Sequence, residues 1–78
     1  HAFASHGEGF CVLNDVAIAV RALRAQGRIR RAVVLDLDVH QGNGTHAIFA
    51  GDDDTFTFSM HGRRNYPFRK VPGTLDVE

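Results

Sequence analysis

Ala32-Val33-Val34-Leu35-Asp36-Leu37-Asp38-Val39-His40-Gln41-Gly42-Asn43-Gly44-Thr45 is the stretch around which the chain is organised. It opens as an aliphatic run, passes into alternating acid and aliphatic, and ends in glycines. A β-branched apolar run bounded by a turn signal reads as a strand buried on both faces, as in a parallel sheet. Side chains on a strand alternate faces with period two. If strand geometry persists past Leu35, then Asp36, Asp38 and His40 project to one side, and Leu35, Leu37 and Val39 to the other. Two carboxylates and one imidazole then share a face at the carboxyl end of a strand, where open α/β sheets place their ligands.

Burying two neighbouring carboxylates is expensive unless something compensates their charge. A bound cation does so. Carboxylate oxygen and neutral imidazole nitrogen are both good ligands for Zn²⁺, and suit Mn²⁺ or Fe²⁺ as well. Asp38 and His40 supply two ligands of the three that a catalytic zinc needs. Asp36 is then a supporting group or a ligand for another cation. The plain alternative is that both acids cap loops and His40 is a packed ring.

Asp36-Leu37-Asp38-Val39-His40-Gln41-Gly42-Asn43-Gly44-Thr45 resembles the metal-binding segment of the histone deacetylase superfamily. That superfamily includes acetylpolyamine amidohydrolases and acetoin-utilisation proteins. Gly9-Phe10-Cys11-Val12-Leu13-Asn14-Asp15 resembles the family's Gly-Phe-Cys-x-x-Asn-Asp segment, and Thr57-Phe58-Ser59-Met60-His61 its next strand. Order and spacing agree over essentially the whole chain. The His-Gln-Gly-Asn-Gly wording is most similar to bacterial members and the class IV branch. The resemblance implies an α/β fold, part of an arginase/deacetylase-type three-layer architecture with a central parallel sheet. It implies one partial catalytic domain over residues 1–78. It also implies a zinc-dependent removal of acetyl groups from acetyl-lysine or a polyamine-like amine.

The family's site residues carry over position by position. Asp38 and His40 match zinc ligands. His1 matches the second of a tandem His pair that moves protons beside the metal, and the first of that pair is absent. Gly9 and Phe10 match one wall of a narrow acyl channel. Asn43 stands where many members have an acid that orients the second His. An amide still accepts a hydrogen bond from an imidazole N–H, but it stabilises a positive ring less than a carboxylate does. Asp36 and Ser59 match side-chain ligands of a monovalent cation, usually K⁺, completed by carbonyls of Asp36, Asp38, His40 and Met60. Asp36 also matches the support of the absent first His. The third zinc ligand and the family's catalytic Tyr would fall beyond Glu78.

Two other readings stay open. A strand ending in Asp-x-Asp also begins Mg²⁺-dependent phosphatases with an aspartyl nucleophile. A deacetylase-like domain can also bind acylated ligands without turning them over.

The composition is that of a globular chain: 78 residues, 44% hydrophobic and 23% charged. A domain of this size buries only ~60% of its unfolded surface, so it is expected to be a piece of a larger catalytic domain, inactive and poorly folded alone. Net charge is zero, which gives no footprint for direct nucleic-acid binding. No run of ~18 apolar residues marks a membrane span. The single cysteine, Cys11, cannot form an internal disulfide and reads as a small buried hydrophobe. A cytoplasmic location is expected, or a nuclear one in a eukaryote. Oligomeric state is not legible.

In chain order, residues 1–9 read as a loop with His6 at the surface. Asn14 is a good N-cap for a helix over Asp15–Gln26, ended by Gly27. Val16, Ala19, Val20 and Leu23 recur at helical spacing and should pack on a sheet, leaving Arg21, Arg24 and Arg28 in solvent. Gly42 and Gly44 permit a tight turn and close backbone approach. Gly44 to Phe49 reads as a short helix with His46 exposed. Asp52, Asp53 and Asp54 read as a solvated turn rather than a Ca²⁺ site. Thr55 to His61 alternates as a second strand, parallel to the first because a helix connects them. Everything from Gly62 on reads as irregular loop, with Tyr66, Pro67 and Phe68 available as a second channel wall.

Overall fold

The computed structural model describes residues 1–78, which run α1 (Asp15–Ala25), β1 (Ala32–Asp36), α2 (Asn43–Ile48), β2 (Thr55–Met60) and β3 (Leu75–Val77). The three strands form one parallel sheet in the order β1-β2-β3. Parallel neighbours need a crossover. The β1–β2 crossover carries α2, as the spacing required. Leu75–Val77, read as loop, is instead a short edge strand. Its main chain pairs with Phe58, Ser59 and Met60, and three residues after a Pro-Gly turn carry too little pattern to announce a strand.

Register explains which side chains meet. Val34 lies beside Thr57, Asp36 beside Ser59, and Ser59 beside Asp76. This face is covered by α2 and the loops around it, and Thr55, Thr57 and Ser59 are buried. The opposite face carries Val33, Leu35, Phe56 and Met60, and no element of this chain packs on it. Val33 is 70% and Leu35 63% exposed. The expectation of a strand buried on both faces is therefore corrected. The aliphatic run is real, but only one of its faces is covered by these residues.

The first helix starts as expected. Asn14 Oδ1 accepts from the Ala17 N–H at 3.0 Å, and Gly27 leaves the helix with a φ of 69°. Its packing face is different. Ala17 is buried and Asn14 and Arg24 are half-buried, while Val16, Ile18 and Leu23 are exposed. Asn14 Nδ2 donates to the Ala2 carbonyl and to Thr45 Oγ1, both at 3.0 Å. Arg21 lies over the Phe49 ring at 5.3 Å. Arg24 donates to Asp52 at 2.8 Å, to Thr55 Oγ1 at 2.8 Å and to the carbonyls of Arg30 and Asp54. A guanidinium offers five donors in a fixed fork, so Arg24 can tie the end of α1 to the turn before β2. The supposedly solvated arginine is a clamp, and Asp52 belongs to the fold rather than to an open acidic turn.

His46 is also corrected. It is 2% exposed, not a surface ring. Its Nδ1 lies 3.0 Å from the Val71 carbonyl and 3.6 Å from Asp76. Gln41 is buried beside it, donating to Val71 O and Asp76 Oδ1 and accepting from the Val71 N–H. These contacts reach about thirty residues forward in sequence, which no local pattern reveals.

Candidate functional site

The site begins where β1 stops, at Asp36. Past that point Asp36, Asp38 and His40 are brought together by side-chain turns, not by continued strand alternation. Asp36 Oδ1 accepts the Asp38 N–H at 3.0 Å, and Asp38 Oδ2 accepts the His40 N–H at 2.8 Å. Aspartate bonding the backbone two residues on is an Asx turn. Two in succession roll the chain so that Asp38 Oδ2 also lies 3.2 Å from His40 Nδ1. Both side chains stay open to solvent, at 62% and 45%.

On the His40 side of this pair the chain forms a groove of about 530 Å³ lined by His1, Gly9, Phe10, His40 and Tyr66. The His1 and Tyr66 rings meet edge-on at 5.0 Å, and His40 lies 6.1 Å from His1 and 6.3 Å from Tyr66. Gly9 and Phe10 form the turn between Glu8 and Cys11, with φ values of 56° and 67°. Positive φ at both central positions is the type I′ pattern. It throws the Phe10 ring fully into solvent at the groove wall. The expected channel residues Gly9 and Phe10 thus lie beside His1 and His40. Tyr66 faces them as the other wall, while Phe68 is exposed elsewhere. Desolvation pushes the Tyr66 phenol above its ordinary value, and the charge of Glu8 adds to it.

A second, smaller cavity of about 200 Å³ lies behind, lined by His1, Cys11, Asp36, Asp38, His40 and Gly42 among others. Cys11 is half-buried here, less enclosed than expected. The glycines earn their place by room. A Cβ on Gly42 would sit 2.6 Å from Asp36 Oδ2, and one on Gly44 would sit 2.2 Å from the carbonyl oxygens of His1 and Ala2. Gly44 thus lets α2 approach the backbone that carries His1.

Asn43 is the partner of His1, as its position implied. Its Oδ1 lies 2.7 Å from His1 Nδ1. Its Nδ2 donates to Glu8 Oε2 at 2.5 Å. Glu8 was not singled out by the sequence. The available signal was that it is the one acid before Asp15. Asp36 and Ser59 are brought side by side by the β1–β2 register. Ser59 Oγ is 2.9 Å from His61 Nδ1.

As a metal centre, these residues are a partial set. Asp38 and His40 offer a carboxylate and an imidazole, the donor types zinc takes. No three His, Cys, Asp or Glu side chains converge to hold an ion. The pair fits in chemistry and is short in number.

A parallel α/β sheet with acid and imidazole gathered past a strand end places the chain among α/β proteins that carry polar groups at the carboxyl ends of their strands. Residues 1–76 match the histone deacetylase domain, and the chain belongs to that family. It is 51% identical over 77 residues to an uncharacterized protein of Picosynechococcus sp., covering 99% of this chain and 26% of that one. It is 46% identical over 70 residues to acetylpolyamine amidohydrolase 1 of Pseudomonas aeruginosa, covering 87% of this chain and 20% of the relative. A solved HDAC homolog complexed with SAHA superimposes with a TM-score of 0.82 at 33% identity, covering 95% of this chain and 22% of that chain. The chain therefore spans about a quarter or less of these relatives. The family assignment leaves the aspartyl-phosphatase alternative without support.

Proposed function

We propose that this chain is part of a zinc-dependent amidohydrolase that removes acetyl groups from acetyl-lysine or a polyamine-like acylated amine. The observation that carries this is that His40, His1 and the Gly9–Phe10 turn line one groove, while Asp38, 3.2 Å from His40, lines the adjoining cavity with His1 and His40. Asp38 and His40 would hold Zn²⁺, together with at least one further ligand. When bound, zinc polarises an acyl carbonyl and makes water a better nucleophile.

The chain's own residues supply the rest. With Nδ1 engaged by Asn43, Nε2 is the nitrogen His1 has left for the groove. There it takes a proton from the attacking water and returns one to the departing amine. General acid–base help of this kind contributes about 10²–10⁴-fold. Phe10 and Tyr66 flank the acyl chain, and each methylene they bury gains about 0.8 kcal/mol. Asp36 and Ser59 would hold a monovalent cation, K⁺ in the first instance, behind the zinc pair.

The test is acetate release from an acetyl-lysine peptide and from an acetylated polyamine, using the protein that carries this segment. Release that a chelator stops and Zn²⁺ restores supports the proposal. No release from either substrate at any zinc loading overturns it in favour of a non-catalytic, acyl-binding domain.

A further inference from the structure

Resting on that reading, we infer that Glu8 is a positioning residue: it acts through the Asn43 amide to set which ring nitrogen His1 presents to the groove.

Asn43 is 2% exposed and both ends of its amide are engaged. The two ends are nearly the same shape, so sterics alone do not decide which way the amide faces. Glu8 decides it. A carboxylate accepts hydrogen bonds and cannot donate them, so the Nδ2 end of Asn43 turns to Glu8 Oε2. That leaves Oδ1 facing His1 Nδ1. An amide oxygen also only accepts, so the hydrogen of neutral His1 is placed on Nδ1. Its lone pair is then on Nε2. The chain Glu8–Asn43–His1 thus transmits a choice of tautomer across two hydrogen bonds.

Glu8 is itself held for the task. Its N–H donates to the Cys11 carbonyl at 3.0 Å and its carbonyl accepts the Cys11 N–H at 2.9 Å. These two bonds close the turn whose central residues are Gly9 and Phe10. The same turn supports the ring it orients, because a Cβ on Gly9 would lie 2.5 Å from His1 Cδ2. One small turn therefore places the carboxylate, packs against the imidazole and provides the groove wall.

The experiment replaces Glu8 by Gln, which keeps size and hydrogen bonding but can donate as well as accept. Asn43 can then turn either way. In the protein that carries this segment, Glu8→Gln is expected to lower kcat for acetate release by about 10–100-fold, the range for a residue that orients an active group. KM should stay within about two-fold. Exchanging the two roles, Glu8→Gln with Asn43→Asp, puts the carboxylate directly on His1 Nδ1 and should recover most of the loss. A residue that merely supports the fold gives no such recovery. In parallel, ¹⁵N imidazole shifts should show His1 as the Nδ1–H tautomer in the native protein and as a mixture in Glu8→Gln. Unchanged kcat, or losses that add in the double variant, would overturn the inference. A native protein that releases no acetate defeats the functional reading alone. The ¹⁵N shifts then decide the role of Glu8: a tautomer mixture upholds it and an unchanged tautomer rejects it.

Discussion

The two faces of the sheet are built on opposite rules. On one, Thr55, Thr57, Ser59 and Asp76 lie among Gln41, His46 and His61, with Gln41 bonded to Asp76 and Thr57 to Thr74 across long sequence separations and Ser59 to His61 beside it. On the other, Val33, Leu35, Phe56 and Met60 form an apolar surface that nothing in this chain covers. The usual expectation is apolar inside and polar outside. Its inversion shows what each kind of contact requires. Hydrogen bonds need particular partners at particular distances, and this chain contains those partners. Hydrophobic burial is non-directional, so the aliphatic face specifies only that something apolar should cover it. The site residues belong with the polar face, since Asp36 is in register with Ser59 on that side.

Four measurements break or sharpen this contrast, taken from the largest effect to the smallest. Asp38→Ala should abolish acetate release in the protein that carries the segment, exceeding the roughly 10–100-fold that loss of a supporting residue costs. The unfolding free energy of the metal-free protein should fall by only about 0.5–1.5 kcal/mol, the loss of one exposed turn hydrogen bond. Retained zinc content and turnover would remove Asp38 from the site. Gln41→Leu leaves the Val71 N–H unpaired and removes one hydrogen bond each from the Val71 carbonyl and Asp76, which keep His46 and Gly73 as neighbours. Urea denaturation should show a loss of about 1–3 kcal/mol. A neutral result would mean that the polar face is not specified by its hydrogen bonds.

The third concerns pH. The Asp54 N–H, Thr55 and Arg24 hold the Asp52 carboxyl below its ordinary value of 3.8. A depressed folded-state value favours the folded protein above the unfolded pKa, and that favour is lost as pH falls through the folded one. Asp52→Asn should therefore flatten the stability profile below about pH 4, read as melting temperature against pH, and leave its slope near neutrality unchanged. The fourth tests the open face. In the protein that carries this segment, Leu35→Gln should change the urea-denaturation free energy by no more than about 0.5 kcal/mol if the face stays open. A loss of about 2 kcal/mol or more would mean that another part of that protein covers it.

Much of this was legible in the residues. The N-cap at Asn14 and the stop at Gly27 bounded α1 to within a residue, because caps are local chemistry. The alternation from Thr55 to His61 announced β2, which ends one residue earlier at Met60. The resemblance to the deacetylase family placed Asn43 where it would orient His1, and the two side chains do meet. Three things were not legible. Arg24 read as solvated because its partners lie about thirty residues ahead. His46 read as exposed for the same reason, its contacts being Val71 and Asp76. β3 is too short to carry a periodic signal, and exists because β2 has an edge to pair with.

The sequence by itself determined the elements, the gathering of acid and imidazole at the end of a strand, and the family, since each depends on neighbours along the chain. The tertiary structure alone decided that the polar face is the covered one and that Glu8 reaches His1 through Asn43. Those outcomes depend on distances between residues far apart in the chain, and such distances exist only once the backbone has closed on itself.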